Sequence, residues 1–256
     1  MKTFDLYSAY YDLLYKDKDY QLETEYVELL YKKFSRNFKP GSKVLEIGCG
    51  TGKHACHFGE KDYKVDGFDI SQSMIEIANE RLVNKSLKVQ ENVNFTSLEW
   101  GTIKNYDLIT SLFHVVSYHN TDDELDDLFL KVNKCLSDDG VFIFDVWYKP
   151  AVLNQGVQTR KKVLRSNDVE VFRLAEPTVH GEFDIVDVNY DIFIREKSSE
   201  FYSHFSETHS MRPFKISDIE AIASRNRLQV LHAEEWLSGN SLSDNTWGAC
   251  FVLTKC

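Results

Sequence analysis

Short apolar runs and helical patterns alternate from about residue 40 to residue 146. The apolar runs predict strands at residues 43–47, 63–68, 106–112 and 141–146. Residues 71–82 and 124–136 instead carry apolar side chains at the spacing of one helix face. Strands that alternate with helices indicate a parallel sheet covered by helices, so we expect the α/β class.

The pattern changes after Pro150. Polar and apolar residues alternate repeatedly between residues 157 and 211, which is typical of antiparallel strands. A helix at 217–225 and strands at 228–232 and 249–254 are predicted to follow. The expected architecture is a Rossmann-like sheet of about seven strands with an antiparallel β insertion. Its core would comprise 1–150 and 211–256, with the insertion at 151–210 covering the ligand end of the sheet. Residues 22–34 form an amphipathic helix in an N-terminal arm.

The formal net charge of −10 argues against polyanionic partners. A negative protein field repels DNA, RNA and anionic membrane surfaces, so we expect no nucleic acid and no membrane. The basic run Arg160–Lys162 is short enough to be a solvated strand or loop.

The cysteine pattern and the N-terminus predict a cytoplasmic protein. The five cysteines contain no C-x-x-C pair and are odd in number, so neither a disulfide framework nor a zinc site is expected. The first residues lack the apolar run of a signal peptide, and no stretch is long enough to span a membrane. We expect no bound metal.

The strongest motif is a strand that runs into three alternating glycines, Gly48, Gly50 and Gly52. Glycine permits a sharp turn and lets the backbone approach a ligand without a Cβ in the way. The following helix would present free N–H groups. The spacing is G-x-G-x-G, whereas the dinucleotide fingerprint has its third glycine one residue later, which disfavours a dehydrogenase.

Asp69 follows the second predicted strand, 21 residues after Gly48. A carboxylate at this position can accept hydrogen bonds from both hydroxyl groups of a ribose. Strand, glycines, helix, strand and acid in this order predict a site for a nucleoside-containing cofactor.

These residues resemble class I S-adenosylmethionine-dependent methyltransferases. The segment from Glu46 to Gly52 resembles their motif I, and Asp69 to Met74 resembles their ribose and adenine segment. Residues 106–109 resemble their fourth strand, and residues 136–145 resemble the turn and fifth strand that follow. The resemblance implies S-adenosylmethionine as cofactor, converted to S-adenosylhomocysteine.

The resemblance also implies where the cofactor lies. Gly48 and Gly50 would lie under its methionine part, next to Glu46. Asp69 would hold the ribose, and adenine would pack on two apolar residues, Ile70 and Met74. The backbone of Leu112 would face the adenine amino group.

One position departs from the family pattern. Class I enzymes usually carry an acidic residue after the third strand, near the adenine amine. Leu98 occupies that position here if the register is the simplest one, and Asn92 is the alternative. A cofactor-binding protein without turnover therefore remains an alternative interpretation.

Three further segments resemble small-molecule methyltransferases, including the N,N-dimethyltransferases of nucleotide-linked amino sugars. They are residues 11–20, 111–119 and 204–214. Tyr15 would close over the methionine end of the cofactor. The residues expected to line the acceptor pocket are Tyr20, Phe113, Trp147 and Arg212. The expected partner is a small molecule such as a nucleotide-linked sugar, and a homodimer is expected as the alternative to a monomer.

Three candidates for acid–base chemistry follow from their positions. Tyr118 and His119 come shortly after the fourth strand, at the edge where open α/β sheets bind ligands. His209 lies in the insertion. Histidine can take up a proton near neutral pH, and His114 is a weaker candidate of the same kind. N-methylation of an amine is the main hypothesis. O-methylation of a sugar or small hydroxyl compound is the alternative because a hydroxyl acceptor needs firmer help from a base.

Overall fold

The computed structural model describes residues 8–98, 105–165, 169–181 and 184–256. Within these ranges the helices are α1 (Ser8–Leu14), α2 (Tyr20–Phe34), α3 (Lys53–Glu60), α4 (Gln72–Val83), α5 (Leu87–Asn92), α6 (Asp122–Cys135), α7 (Lys149–Gln155) and α8 (Ile216–Arg225), with a 3-10 turn at Val115–Tyr118. The strands are β1 (Lys43–Ile47), β2 (Lys64–Phe68), β3 (Val93–Thr96), β4 (Tyr106–Ser111), β5 (Leu136–Trp147), β6 (Arg160–Arg165), β7 (Val169–His180), β8 (Ile185–Glu196), β9 (Ser203–Met211), β10 (Leu228–Glu235) and β11 (Gly248–Lys255).

The larger sheet has seven strands in the order β10-β11-β5-β4-β1-β2-β3. Strands β1 to β5 pair in parallel, and β11 is antiparallel to both β5 and β10. The chain reverses direction across the sheet between β1 and β4, where parallel α/β sheets form their ligand crevice. The predicted Rossmann-like class is confirmed.

The second sheet is antiparallel, in the order β6-β7-β8-β9. The chain leaves the larger sheet after β5, forms the second sheet, and returns before α8. Tyr148 and Phe214 form a parallel bridge at its base. The Lys149 N–H donates to the Phe214 carbonyl at 2.8 Å, and the Phe214 N–H donates to the Trp147 carbonyl at 2.9 Å. These bonds hold the second sheet at the carboxyl end of β5; the boundaries 151–210 of an insertion domain stay a prediction.

Helices cover both faces of the larger sheet, so its central strands are buried on both sides. Residues 141–144 of β5 are at most 1% exposed, which explains their continuous apolar run. Phe144 stacks on Phe142 and on Phe251 of β11, with ring centroids 4.6 and 5.6 Å apart. This packing fixes the strand whose carboxyl end carries Asp145 and Trp147.

Local sequence signals account for most element boundaries. The Ser71 hydroxyl accepts from the Met74 N–H and starts α4, and Thr121 and Glu124 form a reciprocal capping box at α6. The structure differs at Asp138–Gly140, predicted as a turn. These residues lie within β5, whose pairing with β4 shifts register there. Helix α7 was not predicted; it carries Pro150 in its first turn, where proline is tolerated.

Across the described parts of the chain, none of the helices combines the length and the apolar character that crossing a membrane requires.

Candidate active site

The three glycines after β1 serve different purposes. All have left-handed backbone angles, with φ of +72° at Gly48, +52° at Gly50 and +74° at Gly52. A Cβ at Gly48 would lie 2.6 Å from the Val115 side chain, and one at Gly52 would lie 2.4 Å from the Phe95 ring. A Cβ at Gly50 would meet nothing within 4 Å. Gly48 and Gly52 therefore permit close packing, whereas Gly50 exposes bare backbone to open space.

Asp69 links the glycine loop to the start of α4. Its Oδ2 accepts from the Gly50 N–H at 2.8 Å, and its Oδ1 accepts from the Ser71 N–H at 2.9 Å. Burial raises the pKa of Asp69, and the two N–H groups partly oppose that shift. Each carboxylate oxygen retains a second lone pair, so Asp69 can also accept from the hydroxyl groups of a ribose.

Glu46 is the last of a row of charged side chains that contact one another. The His54 Nε2 lies 2.7 Å from Glu23 Oε2, and its Nδ1 lies 3.3 Å from Glu46 Oε1. Lys18 pairs with the other side of Glu23. Burial lowers the pKa of His54, but the bonds to Glu23 and Glu46 outweigh it and the pKa is raised above its ordinary value. The imidazolium form of His54 thus joins α2 to the glycine strand.

The residues around the glycine loop fit S-adenosylmethionine. Within the described chain, Glu46 Oε2 is buried and has no hydrogen-bond partner, so it can accept from the ammonium of a methionine group. The open space at Gly50 lies beside it, and Asp69 supplies the ribose acceptor. These three features match the contacts that the sequence resemblance implies; as residue assignments they stay predictions.

The residues predicted to contact adenine differ in how far their side chains are exposed. Ile70 and Leu98 are 79% and 76% exposed, so each presents apolar surface near the ends of β2 and β3. Met74 is only 2% exposed, and its contact with adenine stays a prediction. Leu112 is also buried, directly after β4. Asn92 precedes β3 in the sequence, whereas Leu98 follows it. The Asn92 side chain donates to the Gly59 carbonyl at 3.1 Å.

Tyr15 and Tyr20 flank the turn between α1 and α2. The Tyr15 ring packs edge-on against Phe113, with centroids 4.9 Å apart, and the Lys18 ammonium lies 4.2 Å from the Phe113 centroid. Tyr20 is 9% exposed and packs against His54 at 4.9 Å. The N-terminal arm therefore lies against both α3 and the loop after β4.

The loop after β4 is held by a buried carboxylate. Phe113 and His114 both have left-handed backbone angles, φ +66° and +62°. Asp145 accepts from their N–H groups at 2.7 and 3.2 Å, and its Oδ2 lies 2.7 Å from His114 Nδ1. Burial raises the pKa of Asp145, but His114 outweighs burial and the pKa is lowered. Asp145 remains ionised and fixes the orientation of Phe113.

Tyr118 and His209, predicted separately, are brought together. The Tyr118 hydroxyl lies 2.8 Å from His209 Nδ1, which joins the loop after β4 to β9. Trp147 lies at the end of β5 against Trp247, with centroids 5.6 Å apart. Arg212 pairs with Asp122 at 2.8 Å and lies over the Phe214 ring, near the start of α6.

His119 has different surroundings from Tyr118. Its pKa is lowered by burial, and the acidic groups that oppose this shift are Glu124 and Asp127 of α6. Both acids belong to α6. A direct role in chemistry stays a prediction.

Sequence reasoning did not identify His54, Asp12, Asp145 or Glu207 as parts of the site. His54 lies four residues after Gly50 on the helix that follows the glycine loop, which was the available signal. Asp145 lies near the end of an apolar strand. A charged group that is buried there requires a partner, and this was the available signal. Asp12 and Glu207 have no local sequence signal because their partners are distant in the chain.

Residues 45–142 match the family model described as a methyltransferase domain. A dTDP-3-amino-3,4,6-trideoxy-alpha-D-glucopyranose N,N-dimethyltransferase from Streptomyces venezuelae is 26% identical over 91% of this chain and 94% of its own length. A putative methyltransferase from a Geobacillus species is 22% identical over 99% and 100% of the two chains.

A solved S-adenosylmethionine-dependent methyltransferase from Clostridium acetobutylicum superposes with a TM-score of 0.80 at 23% identity. It covers 98% of this chain and 97% of its own. At this identity the superposition shows the shared fold. The domain match and the dimethyltransferase relative confirm the predicted methyltransferase class.

Proposed function

We propose that this methyltransferase uses S-adenosylmethionine to methylate the amino group of an amino sugar linked to a nucleotide. The main support for this proposal is the alignment with the Streptomyces N,N-dimethyltransferase, which extends beyond the cofactor domain to 91% of this chain. It therefore includes the second sheet, where an acceptor would be recognised. That relative is named for a dTDP-linked amino sugar.

The charges around Tyr15 support an anionic acceptor. The Lys162 ammonium lies 6.0 Å from the Tyr15 centroid and donates to the Leu14 carbonyl. Arg173 donates to the Tyr15 hydroxyl at 3.3 Å and also lies over Tyr190. In a chain of net charge −10, two cations on this side of the pocket complement the diphosphate of a nucleotide sugar.

The proposed reaction requires the protein mainly to align the methyl donor with the acceptor nitrogen. When bound, S-adenosylmethionine supplies a methyl group that its sulfonium already activates. In this proposal Asp69, Glu46 and the Gly50 backbone hold the donor. The arm and the second sheet exclude water and orient the acceptor nitrogen, which converts a bimolecular encounter into a positioned one.

Mass spectrometry of the product tests the proposal. The enzyme is incubated with methyl-deuterated cofactor and a dTDP-linked amino sugar, and the product is fragmented. We expect the label on nitrogen. A label on oxygen would overturn this proposal in favour of O-methylation.

Two variants test the role of charge. Lys162→Ala should raise the KM for the nucleotide-linked sugar roughly tenfold, about 1.4 kcal/mol. The free amino sugar lacks the phosphates, so its KM should not change. Lys161→Ala, an exposed neighbour, is the matched control and should leave both values unchanged. An equal effect of Lys162→Ala on both sugars would contradict recognition of the diphosphate. The possible homodimer stays a prediction.

A further inference from the structure

Four charged side chains of alternating sign lead from the N-terminal arm to the strand before the glycine loop. Lys18 pairs with Glu23 of α2. Glu23 Oε2 lies 2.7 Å from His54 Nε2, and His54 Nδ1 lies 3.3 Å from Glu46 Oε1 of β1. The exposed fraction of the side chains falls along this row from 13% at Lys18 to 2% at Glu46. The row therefore ends in the interior, beside the loop.

The protonation of His54 follows from its two partners. A carboxylate only accepts hydrogen bonds, so ionised carboxylates at both ring nitrogens require a proton on each nitrogen. Burial raises the pKa of Glu23, but His54 and Lys18 outweigh burial and the pKa is lowered. Glu23 is therefore ionised, and the row contains two cations and two carboxylates.

Glu46 has one oxygen that the row does not use. Its Oε1 faces His54, whereas its Oε2 is buried and has no hydrogen-bond partner among the described residues. A buried polar atom without a partner is costly, and its retention indicates a ligand that donates to it. A cation would continue the alternation of charge along the row. The ammonium of an amino acid is such a cation and carries three N–H donors.

His54 determines how Glu46 is presented to that ligand. The pairing of Nδ1 with Oε1 restricts rotation of the carboxylate, so Oε2 keeps one direction. The imidazolium also keeps Glu46 ionised, because a buried acid without a cation tends to take up a proton. A charged acceptor that is already oriented binds an ammonium more tightly than one that must first rotate or lose a proton. Both ring nitrogens of His54 face carboxylates, so its influence on a ligand passes through Glu46.

We propose that His54 is a positioning residue that orients Glu46 toward the ammonium group at the methionine end of the cofactor. The site thereby favours ligands that carry the amino acid over nucleosides that lack it. This inference rests on the proposed use of S-adenosylmethionine and is independent of the methyl acceptor.

Calorimetry with two ligands separates positioning from general damage to the site. S-adenosylhomocysteine carries the ammonium, whereas methylthioadenosine has the same adenosine and sulfur without the amino acid. For His54→Gln we expect the Kd of S-adenosylhomocysteine to rise about tenfold to a hundredfold, the usual loss for one hydrogen bond to a charged group. The Kd of methylthioadenosine should stay native, which also shows that the variant is folded. Equal losses for the two ligands would overturn the proposal.

His54→Asn distinguishes the two ring nitrogens. An asparagine amide can occupy the place of Nδ1 and donate to Glu46, whereas a glutamine amide can occupy the place of Nε2 and donate to Glu23. His54→Asn should therefore bind S-adenosylhomocysteine more tightly than His54→Gln does. An equal loss in the two variants would contradict positioning through Nδ1.

His57→Gln is the matched control on the same helix. His57 pairs with Glu60 at 3.2 Å, and its side chain is 26% exposed. Both Kd values should remain native in this variant. If His54→Gln gives the same result as the control, His54 does not position Glu46 for the ligand.

A double variant shows whether His54 acts through Glu46. Glu46→Gln removes the charge that attracts the ammonium and should weaken the binding of S-adenosylhomocysteine by itself. Adding His54→Gln should then cost little more, because two residues that act as a unit give losses that do not add. Losses that add in full would mean that His54 serves the ligand by another route, and would refute the proposal.

The native protein separates failure of this inference from failure of the proposed cofactor. If the native protein does not bind S-adenosylhomocysteine, the proposed use of S-adenosylmethionine is refuted together with the positioning role. If the native protein binds it and His54→Gln binds it equally well, the positioning role alone is refuted. The acceptor does not take part in these measurements, so a label on oxygen in the product would leave the inference intact.

Discussion

The Thr51 hydroxyl of the glycine loop donates to Asp12 of α1, with 2.9 Å between Oγ1 and Oδ1. The same carboxylate pairs with Lys53 at 3.0 Å and with Arg81 of α4. Arg81 also donates from Nε to the Thr51 carbonyl at 2.8 Å. One acid on the N-terminal arm therefore contacts the loop and both helices that surround the predicted cofactor cradle.

Asp12→Asn should loosen the arm without unfolding the protein. Partly exposed ion pairs each contribute roughly 0.2–1 kcal/mol, so losing two of them should speed amide hydrogen exchange in α1 about tenfold. The melting temperature should fall by only a few degrees. Asp17→Asn, on the exposed part of the arm, is the control. Unchanged exchange in α1 of Asp12→Asn would show that Asp12 does not hold the arm closed.

Gly50→Ala should remove cofactor binding while the fold persists. The left-handed backbone costs an alanine roughly 1–2 kcal/mol, but its Cβ would meet no protein atom within 4 Å. It would instead occupy the space assigned to the methionine group, so calorimetry should detect at least a hundredfold weaker binding of S-adenosylmethionine.

Gly41→Ala is the control for strain in this experiment. Gly41 has φ +75° and ordinary contacts, and it lies before β1 at the opposite edge of the sheet. A similar loss of stability with native cofactor affinity is expected. If Gly50→Ala also binds the cofactor normally, the ligand does not pass over Gly50.

The arrangement of the predicted cofactor residues could be anticipated because its signals are local. Gly48, Gly50 and Asp69 lie at the ends of two neighbouring strands, and each residue type has a direct geometric reason for its position. The same holds for Ser71 as the cap of α4. Adjacent parallel strands bring such residues together whatever the rest of the chain does.

The acceptor side could not be assembled from sequence. Tyr118 and His209 were separate candidates, but their bond spans 91 residues and depends on how the second sheet docks. The bond between His54 and Glu23 depends likewise on how α2 packs on α3. The adenine contact of Met74 came from the family resemblance and stays a prediction, because helical periodicity alone does not distinguish a ligand face from a buried one.

His54→Gln should destabilise the protein by about 3 kcal/mol at pH 6, because it leaves the buried Glu46 without a cationic partner and Glu23 with Lys18 alone. The pKa of folded His54 lies above its ordinary value of 6.5. The stabilisation is therefore complete below about pH 6.5 and is lost as the pH rises through the folded-state pKa. Denaturant unfolding of both proteins from pH 6 to 9 should show a difference that shrinks with pH.

His57→Gln gives a control of opposite sign on the same helix. Burial lowers the pKa of His57, so native His57 favours folding more above its ordinary pKa than below it. The difference between native protein and His57→Gln should grow as the pH rises. Equal pH trends for the two variants would contradict an imidazolium at His54.

Asp145→Asn should release the loop after β4. Asp145 is 1% exposed, and its two oxygens satisfy the N–H groups of Phe113 and His114. An amide has one oxygen, so its NH2 group would face one of these donors and leave it unsatisfied, at a cost of about 1–3 kcal/mol. Asp66→Asn, which alters one bond from the Tyr106 hydroxyl, should cost less because that hydroxyl can rotate.

The consequence for function follows from backbone strain. Two consecutive left-handed residues each cost roughly 1–2 kcal/mol, so the loop keeps this conformation only while Asp145 compensates. Without that compensation Phe113 should leave Tyr15 and Lys18, the contacts that bind the loop to the arm. Hydrogen exchange at residues 112–118 should quicken in Asp145→Asn, and kcat should fall more than the cofactor affinity, since Asp69 and Gly50 are untouched. Faster exchange confined to β5, with residues 112–118 protected as in the native enzyme, would mean that other contacts hold the loop.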